Sequence, residues 1–161
     1  MKRWAARLAE AAMALCLAAM ALLVFVNVVL RYGFGDGIAA SEELSRLLFV
    51  WMVFIGATAA YPAGEHMAFT SVLAKLRDRP RAFGILTVAI RLLVLLACVL
   101  VAWGAWQQFV VGLDSRSVVL GYPVALLPLP ALLCSAAIAV MVVVELLRRA
   151  PLHLGHEADV E

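Results

Sequence analysis

Charged side chains are scarce in this chain, only 15% of its 161 residues, against about 25% in an ordinary soluble domain. Residues that could do chemistry are scarcer still. No glycine-rich phosphate loop, nucleophile elbow or zinc motif is present. The three histidines lie outside the long apolar runs, which excludes a bis-histidine haem held between spanning helices. Cys16, Cys98 and Cys134 fall in three different apolar runs with no metal-ligand spacing, so they read as small buried hydrophobes rather than ligands or a disulfide. His153 and His156 are three residues apart in a terminal tail, which is weak support for a metal. No catalytic residue, metal or cofactor is expected, and no nucleic-acid partner. A self-contained secondary transporter would place an ionisable residue or a broken helix near mid-membrane. Here the centres of the apolar runs are almost entirely Leu, Val and Ala.

What the chain has is apolar length. Hydrophobic residues make up 66% of it, well above the roughly 45–50% of soluble domains, and they are gathered into runs long enough to cross a bilayer. The expected fold is an all-α membrane protein with four transmembrane helices over about 8–30, 44–63, 85–111 and 124–147. A short amphipathic helix over about 66–78 is expected between the second and third. Its Phe69, Val72, Leu73 and Leu76 share one helical face, as in a helix lying in the interface; a solvated loop is the alternative. The first run is too long for the apolar region of a signal peptide and passes every Ala-x-Ala, so it reads as an uncleaved span. Residues 151–161 read as a mobile tail. Lysines and arginines concentrate at the amino end, the middle connection and the carboxyl end. The positive-inside rule therefore places both termini in the cytoplasm.

The polar residues sit at the edges of the runs. Asn27 is expected to hydrogen-bond a neighbouring helix. Gly33, Gly35, Asp36 and Gly37 form a tight turn. Ser41 is expected to be the N-cap of the second helix, with Glu42 and Glu43 in its first turn, where the helix dipole favours anions. Pro62 and Gly64 end that helix. Arg91 is expected to snorkel to the headgroups, and Trp103, Trp106, Gln107 and Gln108 to form an interfacial belt at the other end of the third span. Pro128 and Pro130 are tolerable at the start of the fourth span, where Ala131, Ser135 and Ala139 offer a small-residue face for close helix packing. Glu145 lies within reach of Arg148 and Arg149.

In order and spacing, the first half carries a resemblance. Asn27-Val-Val-Leu-Arg31-Tyr32, then Ser41-Glu42-Glu43-Leu44-Ser45-Arg46, then Phe49-Val50-Trp51 with Gly56, then Gly64-Glu65-His66, resemble the small membrane subunit of tripartite ATP-independent periplasmic (TRAP) transporters, the DctQ family. The likeness covers residues 1–150. The second half matches less well, because Leu120-Gly121-Tyr122-Pro123 and Pro128-Leu129-Pro130 stand where the family often has Ile-Pro, an aromatic and another proline.

The resemblance implies a multi-pass protein of the bacterial inner membrane, not an enzyme. It implies three partners: a large DctM-type membrane subunit carrying the transport sites, a periplasmic substrate-binding protein and membrane lipid. The transporter would take up a carboxylate-type solute on an ion gradient, usually sodium, with this subunit as scaffold. A stand-alone homo-oligomeric four-span transporter or channel is the alternative. Arg31, Glu42, Glu43, Arg46, Trp51, Glu65 and His66 are the candidate assembly residues. Arg31 and Arg46 are expected to pair with Glu42 or Glu43 at the periplasmic boundary, and Glu65 and His66 to support docking of the interfacial segment, unless they are simply solvated there.

Overall fold

The computed structural model describes residues 2–63 and 80–148. Four α-helices account for most of them: α1 (Lys2–Phe34), α2 (Ala39–Ala60), α3 (Pro80–Leu113) and α4 (Leu129–Leu147). Short 3-10 turns follow α2 at Tyr61–Ala63 and precede α4 at Val124–Leu126. Among the described residues all four helical segments are long and apolar enough to cross a membrane, and the extended structure is a single bridge between Arg116 and Pro123. The expected interfacial helix at 66–78, Glu65, His66, both tail histidines and the tail itself lie outside the described residues.

The first and third helices exceed the expected spans, whereas α4 begins at Leu129, after the 3-10 turn that opens the fourth. With 33 and 34 residues, α1 and α3 are each about 50 Å long at 1.5 Å per residue, beyond the roughly 30 Å of a hydrocarbon core. Each boundary has a local cause. Gly35, at φ 82°, stops α1 in the left-handed conformation that glycine adopts without a Cβ penalty. Pro62 lies in the 3-10 turn that closes α2. Pro128 is the N-cap of α4 and Pro130 lies in its first turn, where a missing N–H costs no helical hydrogen bond.

Ser41 is not the cap of α2. The helix begins earlier, with Ile38 as N-cap, and Ser41 sits buried inside the first turn, its hydroxyl donating to the Ile38 carbonyl at 2.8 Å. No side chain caps the first turn of α2, but the N-cap residue is itself held from a distance. Asn27 Oδ1 accepts the Ile38 backbone N–H at 2.6 Å. The hydrogen bond expected of Asn27 thus exists, but it reaches the backbone entering α2 rather than a side chain across the bundle.

The helices stand in an open row. Extensive contacts join α1 to α2, α2 to α4, and α4 to α3, and the 3-10 turn before α4 packs on α3. A row buries little inside the subunit, and large apolar side chains are exposed along α1 and α3, as lipid-facing helices require. The small core lies where α3 meets α4. Cys98, Ala105, Cys134 and Val142 are buried there. Cys98 and Cys134 are free and buried, as expected of small hydrophobes, whereas Cys16 is only half-buried.

Candidate functional site

At one end of the row, the charged residues of α2 divide between two environments. Glu43 turns toward the connection between α3 and α4. It accepts a hydrogen bond from the Ser117 hydroxyl and another from the Leu120 backbone N–H at 3.1 Å. That connection is itself tightly bonded. Ser117 N–H donates to the Tyr122 carbonyl at 2.9 Å, Val124 N–H to the Ser115 carbonyl at 2.9 Å, and Arg116 Nη1 to the Gly121 carbonyl at 3.3 Å. Two turns further along, Trp51 Nε1 donates to the Leu126 carbonyl at 3.2 Å. Glu43 and Trp51 therefore fasten α2 to the segment leading into α4. The two bonds to the Glu43 carboxylate are charge-assisted, a class about twice as strong as neutral ones.

Glu42 and Arg46 face the other way. With Phe49 and Val53 they form an exposed stripe on α2 at i, i+4, i+7 and i+11 spacing, clear of the α1 and α4 contacts. Arg31 is exposed at the end of α1, its methylenes against Gly37. The expected pairing does not form: among the described residues neither Arg31 nor Arg46 comes within ion-pair distance of Glu42 or Glu43. The physical reason is direction. Glu43 is drawn to donors on the α3–α4 connection, while Glu42 and the two arginines point outward.

The opposite end holds a cluster that the sequence reading assigned differently. Arg91 does not snorkel. It is 5% exposed, its Nη2 lies 3.4 Å from Glu145 Oε2, and its Nη1 donates to the Glu145 carbonyl at 3.3 Å. Tyr61 donates its hydroxyl to the same carboxylate at 3.3 Å. Glu145 thus answers to Arg91 and Tyr61, not to Arg148. Arg91 and Glu145 stand on α3 and α4, which pack closely along their length, so the guanidinium is answered within the protein instead of reaching outward. Three elements, α2's closing turn, α3 and α4, meet in this one cluster. Spacing could not have revealed it, because the three residues are far apart in the chain. The signal available was the rarity of a lone Arg and a lone Glu inside apolar runs.

Close packing completes the frame. A Cβ on Gly112 would lie 2.6 Å from the Ala125 backbone nitrogen and 2.8 Å from its Cα, so α3 and the 3-10 turn approach as only glycine allows. On α4, Ser135 is buried, with its hydroxyl bonded to the Ala131 carbonyl at 2.7 Å. The hydroxyl is thereby satisfied within its own helix. Among the described residues no group of histidine, cysteine and carboxylate side chains could hold a metal.

Comparison with known proteins identifies the family. Residues 20–152 match the family model described as "Tripartite ATP-independent periplasmic transporters, DctQ component". A TRAP transporter small permease protein of Haemophilus influenzae is 41% identical over 107 residues, 66% of this chain and 65% of that protein. A second from the same organism is 38% identical over 93 residues, 58% of this chain and 55% of its own length. The C4-dicarboxylate TRAP transporter small permease protein DctQ of Vibrio cholerae is 30% identical over 105 residues, 63% of this chain and 44% of that protein. The chain thus spans between about half and two thirds of the curated relatives it matches. With the family model covering most of its length, the chain belongs to the DctQ family, the DctQ component of the tripartite ATP-independent periplasmic transporters.

Proposed function

We propose that this chain is the small, non-catalytic membrane subunit of a TRAP transporter, a scaffold for a large DctM-type subunit that moves the solute. The observation that carries this reading, beyond family membership, is the open row. Among the described residues its extensive contacts run from helix to neighbouring helix without closing a ring. The charges within its helices are tied into staples or lie near the ends, whereas a transport pathway needs polar groups around a midplane site. A homo-oligomeric channel would need the same polar lining and is the weaker reading.

In the proposed assembly both chain ends face the cytoplasm of a bacterial inner membrane, with a basic middle connection and its interfacial helix on the same side. The exposed stripe of Glu42, Arg46, Phe49 and Val53 meets the large subunit, with Arg31 at its edge. A soluble periplasmic protein delivers the substrate, and an ion gradient, sodium in our reading, drives uptake. The Vibrio cholerae relative is named for C4-dicarboxylates, and a carboxylate-type solute is the class we assign here.

The test is purification of the tagged chain from its native membrane with identification of what travels with it. A hydrophobic partner of about a dozen spans, and loss of organic-acid uptake when this chain is deleted, is the expected result. Recovery as a self-oligomer alone, with uptake intact after deletion, would reject the reading.

A further inference from the structure

The connection between α3 and α4 is a short hairpin. Val124 N–H donates to the Ser115 carbonyl and Ser117 N–H to the Tyr122 carbonyl, both at 2.9 Å. Gly121, at φ 69°, closes the turn, its N–H donating to the Ser117 carbonyl at 3.2 Å. Leu120 N–H donates to Glu43. The turn is therefore fixed, yet what it displays is apolar. Val118 is 99% exposed, and Val119 and Leu120 are exposed beside it. Single exposed aliphatics are ordinary. A consecutive run of them on a fixed turn is a fault unless it is used.

Their depth points to what covers them. Charged residues gather at both ends of the helices and leave the middle bare. At one end stand Glu10, Arg91 and Glu145, at the other Arg31, Glu43 and Arg116. The first group is level: Tyr61 joins Arg91 and Glu145, and Glu10 lies one turn from Met13, which packs on Gly56 of α2. At 1.5 Å per residue, Glu10 to Arg31 on α1 and Arg91 to Gly112 on α3 each span about 32 Å, and Glu43 to Tyr61 about 27 Å. These lengths match the roughly 30 Å of a hydrocarbon core. Because Glu43 holds the turn directly, Val118, Val119 and Leu120 stand at one edge of that core. The exposed apolar end of α3, with Val110, Val111 and Leu113, leads into them.

We propose that Val118, Val119 and Leu120 are a lipid contact, seated at the boundary between the headgroups and acyl chains of one leaflet. Such a site takes aliphatic side chains on backbone that is already bonded, as the Ser117, Leu120 and Gly121 N–H groups are. A protein partner would call for other residues, since valine and leucine are under-represented among the side chains that anchor protein interfaces, and Trp, Tyr and Arg enriched. The contact holds the hairpin, and through Glu43 the start of α2, at a fixed depth. Neither a large subunit nor a binding protein takes part.

The experiment places the full chain, carrying Cys16→Ala, Cys98→Ala and Cys134→Ala, in phosphatidylcholine nanodiscs. A nitroxide is attached at Val118→Cys or, for reference, at Asp36→Cys in the turn after α1. Oxygen concentrates among acyl chains and a neutral nickel chelate in water, so the ratio of their collision rates reports depth. The ratio at Val118 is expected to exceed that at Asp36 by about threefold or more, as for side chains about 5–10 Å into the interface. Equal ratios would overturn the proposal. A photo-crosslinking residue at Val118 in the otherwise unaltered chain repeats the test in native membranes, where folding does not depend on the cysteine replacements. Lipid adducts are expected there, and capture of a protein in their place would overturn the contact.

Discussion

Arg91 and Glu145 are the pair whose removal should be felt most. A guanidinium at 5% exposure is tolerated because a carboxylate and a backbone carbonyl answer it. Deleting one partner of a fully buried pair costs about 3–5 kcal/mol, and less where, as for Glu145, the carboxylate is 38% exposed, while replacing both with apolar side chains of similar size is often neutral or stabilising. Glu145→Ala should therefore lower the unfolding temperature in detergent strongly, and the double variant Arg91→Met with Glu145→Met should recover most of the loss. Equal destabilisation by the single and double variants would show that the cluster contributes packing rather than charge compensation. Gly112 is a second sensitive position. Its added methyl would meet backbone atoms of the 3-10 turn, which cannot swing aside as a side-chain end could, so Gly112→Ala should cost about 1–3 kcal/mol as overpacking. Gly56 gives the contrast. A methyl there meets the end of Met13 at 3.0 Å, a flexible thioether that can move, so Gly56→Ala should cost markedly less in the same thermal measurement.

At the scale of elements, α2 is held by side chains that reach backbone. Asn27 bonds the backbone entering it, Glu43 grips the α3–α4 connection, and Trp51 bonds the turn before α4. Trp51→Phe keeps an aromatic ring but removes the pyrrole part of the indole and its hydrogen bond, leaving the part-buried Leu126 carbonyl unsatisfied. A loss of about 1–3 kcal/mol follows for an orphaned acceptor, measurable as a shift of the unfolding midpoint. Glu43→Gln should do less to stability and more to the loop, raising protease cleavage between Ser115 and Tyr122 because two anchors weaken together. These links also mark what the sequence could and could not disclose. Four spans were legible, because apolar run length is a direct record of the bilayer, and so were the turn at Gly35 and the prolines opening α4. A serine before two glutamates has the pattern of a cap, but α2 starts three residues earlier at an N-cap without a side-chain cap, and Ser41 instead bonds back to the Ile38 carbonyl. Arg91 misled because snorkelling and pairing begin from the same observation, an arginine in an apolar run, and only the packing of α3 against α4 decides between them.

For the whole molecule, the consequence of an open row is that α2 keeps two uncovered faces. One carries Glu42, Arg46, Phe49 and Val53; the other, with Trp51, Phe54 and Thr58, is the floor of an apolar groove between α1 and α4. Charges on the first are unpaired within the described residues, and an unpaired charge near the bilayer edge is retained at a cost unless water or a partner answers it. If the partner is the large subunit, Arg46→Glu should leave thermal stability within about 0.5 kcal/mol, as for surface changes away from internal contacts. Removing a charge partner at an interface costs about 2–5 kcal/mol, so the same change should reduce co-purification of the large subunit by at least tenfold. The compensating test is decisive for the face rather than for the residue. Phe49→Ala on the same stripe should weaken the complex as well, while Phe54→Ala, on the opposite side of α2 in an apolar groove against α1 and α4, should leave association intact. Loss of the large subunit with Phe54→Ala but not with Phe49→Ala would exchange the assignments of the two faces.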